Sequence, residues 1–230
     1  RVAAPATTEE VAKEVRAWPG KIAVGGGRYS MGGQVGITGG LHLDMRKMNK
    51  LLSLDTQAKV ARVQAGMRWR DLQDMLDLVD LSVMSMQSYS NFTVGGAVSV
   101  NAHGRYIDSG PVGSTVRALK IVMADGTAIE ATLTLNTELF RAAIGGYGAV
   151  GAITEVELNL ADNVRIERVV KPVSLKDYPA HFAQLAQAGD HVFHNADLSP
   201  PHFNAPVSIS WRKTDKPLTE KKRLVPRGAS

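Results

Sequence analysis

The residues best suited to chemistry lie in a glycine-rich segment, residues 25–34, which reads Gly-Gly-Gly-Arg-Tyr-Ser-Met-Gly-Gly-Gln. The apolar residues 22–24 precede it, so a short buried strand is predicted to lead into a loop. Glycine permits positive φ and has no Cβ to hold a ligand away from the backbone amides. Such loops bind phosphate or pyrophosphate. No Gly-Lys-Ser/Thr closes the segment and no amphipathic helix follows, which excludes a Walker A motif and a GxGxxG fingerprint.

Two later segments are also rich in small residues. Residues 87–105 read Gln-Ser-Tyr-Ser-Asn-Phe-Thr-Val-Gly-Gly-Ala-Val-Ser-Val-Asn-Ala-His-Gly-Arg, and residues 144–151 read Ile-Gly-Gly-Tyr-Gly-Ala-Val-Gly. Small side chains allow a backbone to lie against a flat ring, while the spaced hydroxyl and amide groups can hydrogen-bond to the ring edges.

The order and spacing of the three segments resemble the FAD-linked oxidases of the vanillyl alcohol oxidase and p-cresol methylhydroxylase type. Within that family the chain is most similar to bacterial proteins related to aldonolactone and alditol oxidases, over residues 5–165. The resemblance implies an α+β fold in which residues 1–165 form an FAD-binding domain of two subdomains, about 1–63 and 64–165. Residues 166–223 would begin a substrate-binding (cap) domain that is incomplete here, and residues 224–230 are either a thrombin-type tag or native sequence.

The resemblance also implies which residues hold FAD. The first segment would cradle the pyrophosphate through Gly25, Gly26, Gly27, Arg28, Tyr29, Ser30, Met31 and Gly32. The second would flank the isoalloxazine and pyrophosphate through Ser88, Thr93, Gly95, Gly96, Ser99, Asn101, Ala102 and His103. Gly146, Gly151 and Ile153 would lie near the adenine. For His103 a satisfied core histidine is an equal alternative, while Asp44 and residues 64–66 are expected to be structural.

Tyr29 departs from the family pattern, because relatives typically carry at this position a His that many of them bond to the flavin 8α-methyl group. Three outcomes stay open: non-covalent FAD, which we favour because a phenol with a pKa near 10 is slow to ionise, an O-tyrosyl bond through Tyr29, or a link elsewhere. Arg28 and Arg105 are candidates for a positive group near flavin N1. The Ala102 methyl would hinder O₂ if it lay near the reactive carbon of the flavin, whereas a glycine would leave a path. The sequence does not place Ala102 that closely, so both an oxidase and a dehydrogenase stay open.

The activity implied by the resemblance is hydride transfer from a CH–OH group of a sugar lactone or polyol to flavin N5. Reoxidation would then use O₂ or another electron acceptor, and the catalytic residues are expected outside this chain. One alternative is an FAD-binding module that is inactive until another chain completes it. The other is a scaffold whose glycine loops bind no cofactor.

Composition narrows the remaining function classes. The 230 residues carry a net charge of +5, but the basic residues are scattered and the densest run, residues 221–223, is short, which argues against nucleic-acid binding. Apolar runs are too short for a membrane span, and no secretory signal is visible. Localisation stays open, with the cytoplasm weakly favoured. With no cysteine, disulfides, thiolate metal sites and a cysteinyl flavin link are excluded. His191 and His194 lack an obvious third ligand, so no metal site is expected.

Sequence patterns predict the elements that position these segments. A capping box of Thr7 and Glu10 starts a helix that ends before Pro19. Helices are also predicted over 68–79, 136–144 and 175–188, with another beginning behind Thr93 as its cap. Predicted strands cover 22–24, 41–44, 51–55, 60–64, 118–123, 128–132 and 151–160, with Asp125-Gly126 as a hairpin turn and short strand-like runs between 191 and 211.

Overall fold

The structure, a computed structural model, describes residues 1–200 and 203–219. The basic run 221–223 and the possible tag 224–230 lie outside the described residues. The chain divides into two compact units, one formed by residues 1–104 and 111–162 and the other by residues 105–110 and the segment that starts at Asn163. Within the described residues, no helix has the length and apolar character needed to cross a membrane.

The first unit begins with a helix on a small parallel sheet. The strands are β1 (Val2–Ala3), β2 (Ile22–Gly25) and β3 (Leu41–Asp44), in the order β1-β3-β2. Helix α1 (Thr8–Ala17) packs on this sheet through Val11 and Val15. The predicted cap is confirmed, since Thr7 Oγ1 accepts from the Glu10 backbone at 3.2 Å, although the Glu10 carboxylate bonds the Ala6 N–H rather than that of Thr7.

A larger antiparallel sheet follows. It contains β4 (Leu51–Asp55), β5 (Val60–Gln64), β6 (Leu81–Val83), β7 (Val116–Val122), β8 (Ala128–Thr132) and β9 (Ala152–Asp162). Its order is β4-β5-β9-β7-β8, with β6 also paired to β9. The sequence pattern groups β4 and β5 with the first subdomain, but β5 pairs with β9 and β4 with β5, so both strands belong to the larger sheet. The predicted hairpin turn is confirmed, with Gly126 at φ +78°.

Three short helices connect these strands. They are α2 (Trp69–Leu76), α3 (Val94–Ser99) and α4 (Thr137–Ala143). The helix predicted over 68–79 is shorter than expected, because a 3₁₀ turn, Asp77–Val79, follows it and Asp80 then adopts φ +55°. Thr93 occupies the N-cap position of α3, but its side chain makes no capping hydrogen bond there, so that part of the prediction is wrong.

The second unit is a three-stranded antiparallel sheet with one helix. Strands β10 (Ile166–Pro172), β11 (His191–Asp197) and β12 (Val207–Lys213) lie in the order β10-β12-β11, and α5 (Tyr178–Ala188) links β10 to β11. The helix starts three residues later than predicted because residues 174–177 form a hydrogen-bonded turn and Pro179 suits the first helical turn. Tyr106, from the middle of the chain, bridges to Phe193 of β11.

Candidate functional site

A cavity of about 400 Å³ in the first unit is lined by residues from all three glycine-containing segments. The parallel strands β2 and β3 end side by side, with Gly25 opposite Asp44, so the first segment leaves the sheet next to that carboxylate. Helix α3 supplies the second set of residues, and the turn before β9 supplies the third. Segments more than 100 residues apart therefore meet around one space, since Gly27 and Gly151 both line it.

The cavity collects most, but not all, of the residues named from the sequence. Those that line it are Gly26, Gly27, Arg28, Tyr29, Ser30, Met31, Thr93, Gly95, Gly96, Ser99, Gly151 and Ile153. Those that do not line it are Gly25, Gly32, Ser88, Asn101, Ala102, His103 and Gly146. The Asn101 Oδ1 accepts from the Gly113 N–H at 2.9 Å, so this amide oxygen serves the protein chain. His103 is exposed, which makes the alternative of a core histidine wrong.

Sequence reasoning missed ten residues of the lining: Val24, Gln34, Val35, Met45, Ala65, Gln87, Phe92, Val100, Tyr147 and Gly148. Six of them belong to the quoted segments, where the prediction favoured other small residues and passed over five larger side chains and Gly148. Val24, Met45 and Ala65 lie at or next to strand ends, and only the sheet topology brings those ends to the cavity.

The backbone of the first segment has the features of an anion cradle. Within residues 1–200 and 203–219, the N–H groups of residues 27–31 donate to no other main-chain group. Arg28 adopts φ +63°, a left-handed conformation that costs a non-glycine residue about 1 kcal/mol or more. Successive amides around such a residue form a concavity that binds anions. Strained backbone of this kind is retained where surrounding contacts enforce it and often marks a functional site.

Asp44 supplies those enforcing contacts. Its carboxylate accepts from Arg28 at 3.0 Å and from Arg46 at 2.8 and 2.6 Å. The hydrogen bonds from Arg46, with the charge of Arg28, lower the pKa of Asp44 to about 2. His42 lies beside them, with its Nε2 3.4 Å from Arg28 and its Nδ1 bonded to the Val35 carbonyl. The carboxylate therefore stays ionised and holds the Arg28 guanidinium at the cavity wall.

Tyr29 is held in a cluster of three aromatic rings, the Tyr29 cluster, formed with Tyr89 and Phe92. All three ring pairs meet edge to face, with centroids 5.0–5.6 Å apart. The Asn91 side chain donates to the Tyr89 hydroxyl at 3.1 Å. A hydrogen bond to Tyr89 raises the pKa of Tyr29, whereas hydrogen bonds from Asn91 and Tyr29 lower the pKa of Tyr89. The raised pKa keeps the Tyr29 hydroxyl protonated near neutral pH.

The glycines of α3 differ in what they face. A Cβ on Gly95 would lie 2.6 Å from the Ala65 Cβ and 3.0 Å from the Ala65 carbonyl oxygen, so this glycine is needed for packing. A Cβ on Gly96 would meet only Thr93 Oγ1, at 2.9 Å, and Gly96 borders the cavity. A Cβ on Gly26 would clash with the same hydroxyl. The first segment therefore packs so closely against Thr93 of the second segment that glycine is required at position 26.

Three candidate residues, Arg105, His191 and His194, belong to the second unit and do not line the cavity. Arg105 is exposed and its guanidinium lies 3.4 Å from Asn195 Oδ1 within that unit. His194 bonds the Tyr178 hydroxyl, and His191 lies 2.7 Å from Asp190. The part of the chain that the structure describes contains no group of three or more His, Cys, Asp or Glu able to hold a metal ion.

Comparison with known proteins identifies a family that matches the chain. A model of the family described as "FAD binding domain" matches residues 1–132, more than half of the 230 residues. The chain is 31% identical over 176 residues to L-gulonolactone oxidase of Bos taurus, a match that covers 75% of this chain and 40% of that protein. It is 27% identical over 221 residues to alditol oxidase of a Streptomyces species, covering 94% and 51% respectively.

A third relative extends the same pattern. The chain is 27% identical over 211 residues to mitochondrial L-galactono-1,4-lactone dehydrogenase of Brassica oleracea, covering 92% of this chain and 34% of that protein. The chain therefore spans about half or less of the length of these relatives.

Proposed function

The chain belongs to the FAD-binding domain family, and from this premise we propose that it binds FAD in the cavity lined by the three segments. The observation that carries the proposal is their convergence: residues 26–31, α3 and the turn before β9 line one space although they are far apart in sequence. This lining suits an extended dinucleotide. Backbone amides at the first segment can bind its phosphates, and the small residues of the second segment leave a flat surface for a ring.

Each segment is assigned one part of the cofactor. The amides of residues 27–31, with Ser30 and Arg28, would hold the pyrophosphate, since Asp44 keeps the Arg28 guanidinium at the wall. Gly95, Gly96 and Ser99 would lie against the isoalloxazine, where a glycine leaves room for the ring. Gly151 and Ile153 would lie near the adenine. Asn101, Ala102 and His103, which do not line the cavity, are not needed for this arrangement.

The reaction class proposed is oxidation of a CH–OH group in a sugar lactone or polyol. The names of the relatives support it, since two are oxidases of a lactone and an alditol and one is a lactone dehydrogenase. FAD, when bound, supplies the hydride acceptor, and the protein's part is to bind and orient it. We propose residues 1–165 as the FAD-binding domain and residues 166–223 as the beginning of a substrate-binding domain. O₂ or another acceptor would reoxidise the flavin.

We propose further that the cofactor is bound without a covalent link. Tyr29 would be the attacking group, but its interaction with Tyr89 raises its pKa, so little phenolate forms near neutral pH. The edge-to-face packing of the Tyr29 cluster also fixes the ring in place. A link through Tyr29 is the competing outcome, and the experiment below separates the two.

Absorption spectra of the purified protein test the proposal, taken after FAD is added and unbound FAD is removed by gel filtration, and again before and after acid precipitation. We expect bands near ~370 and ~450 nm with the folded protein, and yellow colour in the supernatant after precipitation. Colour that stays with the pellet contradicts the non-covalent binding mode. A protein that stays colourless after FAD is added contradicts the function itself and favours the scaffold alternative.

A second assay separates an enzyme from a module that needs another chain. The FAD-loaded protein is supplied with aldonolactones and alditols, with O₂ present or with an artificial electron acceptor under anaerobic conditions. Turnover under either condition supports the enzyme, and the acceptor that works distinguishes an oxidase from a dehydrogenase. Flavin that binds but is never reduced supports the module.

A further inference from the structure

Gln87 is one of the residues that line the cavity, and a buried tryptophan sets the orientation of its side-chain amide. The Trp69 indole Nε1 donates to Gln87 Oε1 at 3.0 Å. Indole nitrogen is only a donor, so the oxygen of the Gln87 amide must be the atom that faces it. The amide nitrogen, with two N–H donors, then points away from the tryptophan. Within residues 1–200 and 203–219, the hydrogen bond that Gln87 makes through its side chain is the one to Oε1, which leaves the nitrogen without a protein partner.

Trp69 cannot easily turn to follow Gln87. Its side chain is 0% exposed at the start of α2. Its backbone N–H donates to the Phe92 carbonyl at 3.1 Å, and the Arg70 N–H donates to the Ser90 carbonyl at 2.9 Å. These bonds tie the first turn of α2 to the segment that follows Gln87. The buried indole therefore holds the Gln87 amide in one orientation.

We propose that Gln87 is a cofactor-binding residue whose amide nitrogen, oriented by Trp69, donates a hydrogen bond to an oxygen of FAD. The inference rests on the proposed function. The amide nitrogen needs an acceptor with a lone pair and no proton, and among such atoms of FAD the proposal names an oxygen of the pyrophosphate or a carbonyl oxygen of the isoalloxazine. A side chain held by a buried partner pays less entropy on binding than a free one. This placement gives Gln87 a role that the small-residue pattern of its segment does not indicate.

The test measures dissociation constants of FAD and riboflavin by flavin fluorescence for two variants. Gln87→Met removes the donors with little change in size. Gln87→Glu keeps an acceptor for Trp69 but also removes the donors. The matched control is Gln57→Met, in the exposed turn between β4 and β5. Thermal unfolding of each apoprotein reports whether the fold is retained.

We expect FAD to bind Gln87→Met about 3–10-fold more weakly than wild type, as loss of one hydrogen bond implies. Gln87→Glu should weaken FAD binding at least as much while its melting temperature stays at the wild-type value. If riboflavin loses affinity equally, the acceptor is a ring carbonyl, and if riboflavin is unaffected, it is the pyrophosphate. Both results support the proposal.

Two results overturn it. Gln87→Met that binds FAD within twofold of wild type shows that the amide makes no such bond. Affinity lost only together with a lowered melting temperature, and retained in Gln87→Glu, shows that the residue merely supports Trp69. A wild-type protein that binds neither flavin overturns the proposed function instead, before any variant is compared.

Discussion

The side chain of Asp44 shows how much a single residue contributes at this site. It is 8% exposed and binds two guanidinium groups, one of which belongs to the strained residue Arg28. Sequence reasoning gave Asp44 only a structural role, because nothing in its neighbours indicates that parallel strands β2 and β3 end together. The glycine loop itself was predictable from composition. The carboxylate that fixes its arginine was not, since the contact depends on strand register.

Asp44→Asn should reduce the free energy of unfolding by about 2 kcal/mol near neutral pH. The pKa of Asp44 is about 2 in the folded protein and about 4 in an unfolded chain, so the carboxylate stabilises the fold above pH ~4. That stabilisation is lost as the pH falls from ~4 through ~2. Urea unfolding across this range should show the difference between wild type and variant shrinking with acid. A difference that is independent of pH would contradict the assignment.

Helix α3 contains two glycines that the sequence could locate but whose different roles it could not distinguish. The spacing of small residues predicted a helix behind Thr93, and the structure has one at Val94–Ser99. The sequence could not tell that Gly95 packs on Ala65 while Gly96 meets only one hydroxyl beside the cavity. Side chains such as Phe92 and Tyr147 also escaped notice, since no pattern shows which bulky residues border a space enclosed by other elements.

Alanine at these two neighbouring positions should give different results. Gly95→Ala forces a Cβ against the Ala65 backbone and should destabilise the fold by about 1–3 kcal/mol. Gly96→Ala should cost less stability, because only Thr93 Oγ1 must yield, but it should weaken FAD binding about tenfold or more by filling the cavity wall. Thermal unfolding and a flavin titration measure the two effects. Equal loss of stability in both variants would show that Gly96 is a packing residue as well.

The molecule contains two units, and in the second of them histidine side chains make hydrogen bonds between helix and sheet. In the second unit, His194 bonds Tyr178 and His181 bonds Ser208, which attaches α5 to its sheet. Burial, with the nearby charges of Lys171 and His191, lowers the pKa of His181, and burial also lowers that of His194. The sequence predicted helix and strands here but treated the histidines only as weak metal ligands. It also missed residues 105–110, which join this unit because Tyr106 pairs with β11.

The second unit should lose stability in mild acid. Because the folded pKa values of His181 and His194 lie below the ordinary value of about 6.5, their neutral forms stabilise the fold above that pH. The stabilisation is lost as the pH falls below it. Hydrogen exchange of β12 amides between pH 7 and pH 5, corrected for intrinsic rates, should show this loss. His194→Gln, whose side chain can still hydrogen-bond to Tyr178, should make the exchange of β12 amides less dependent on pH. An unchanged pH dependence in this variant would contradict the role given to His194.

The central claim is that three distant segments of the first unit meet on one FAD molecule. Hydrogen–deuterium exchange with and without saturating FAD measures this directly. We predict that residues 26–31, 93–99 and 147–153 all become slower to exchange, over the same range of FAD concentration. Protection confined to one of these segments, or no protection in a protein that has demonstrably bound flavin, would contradict the account.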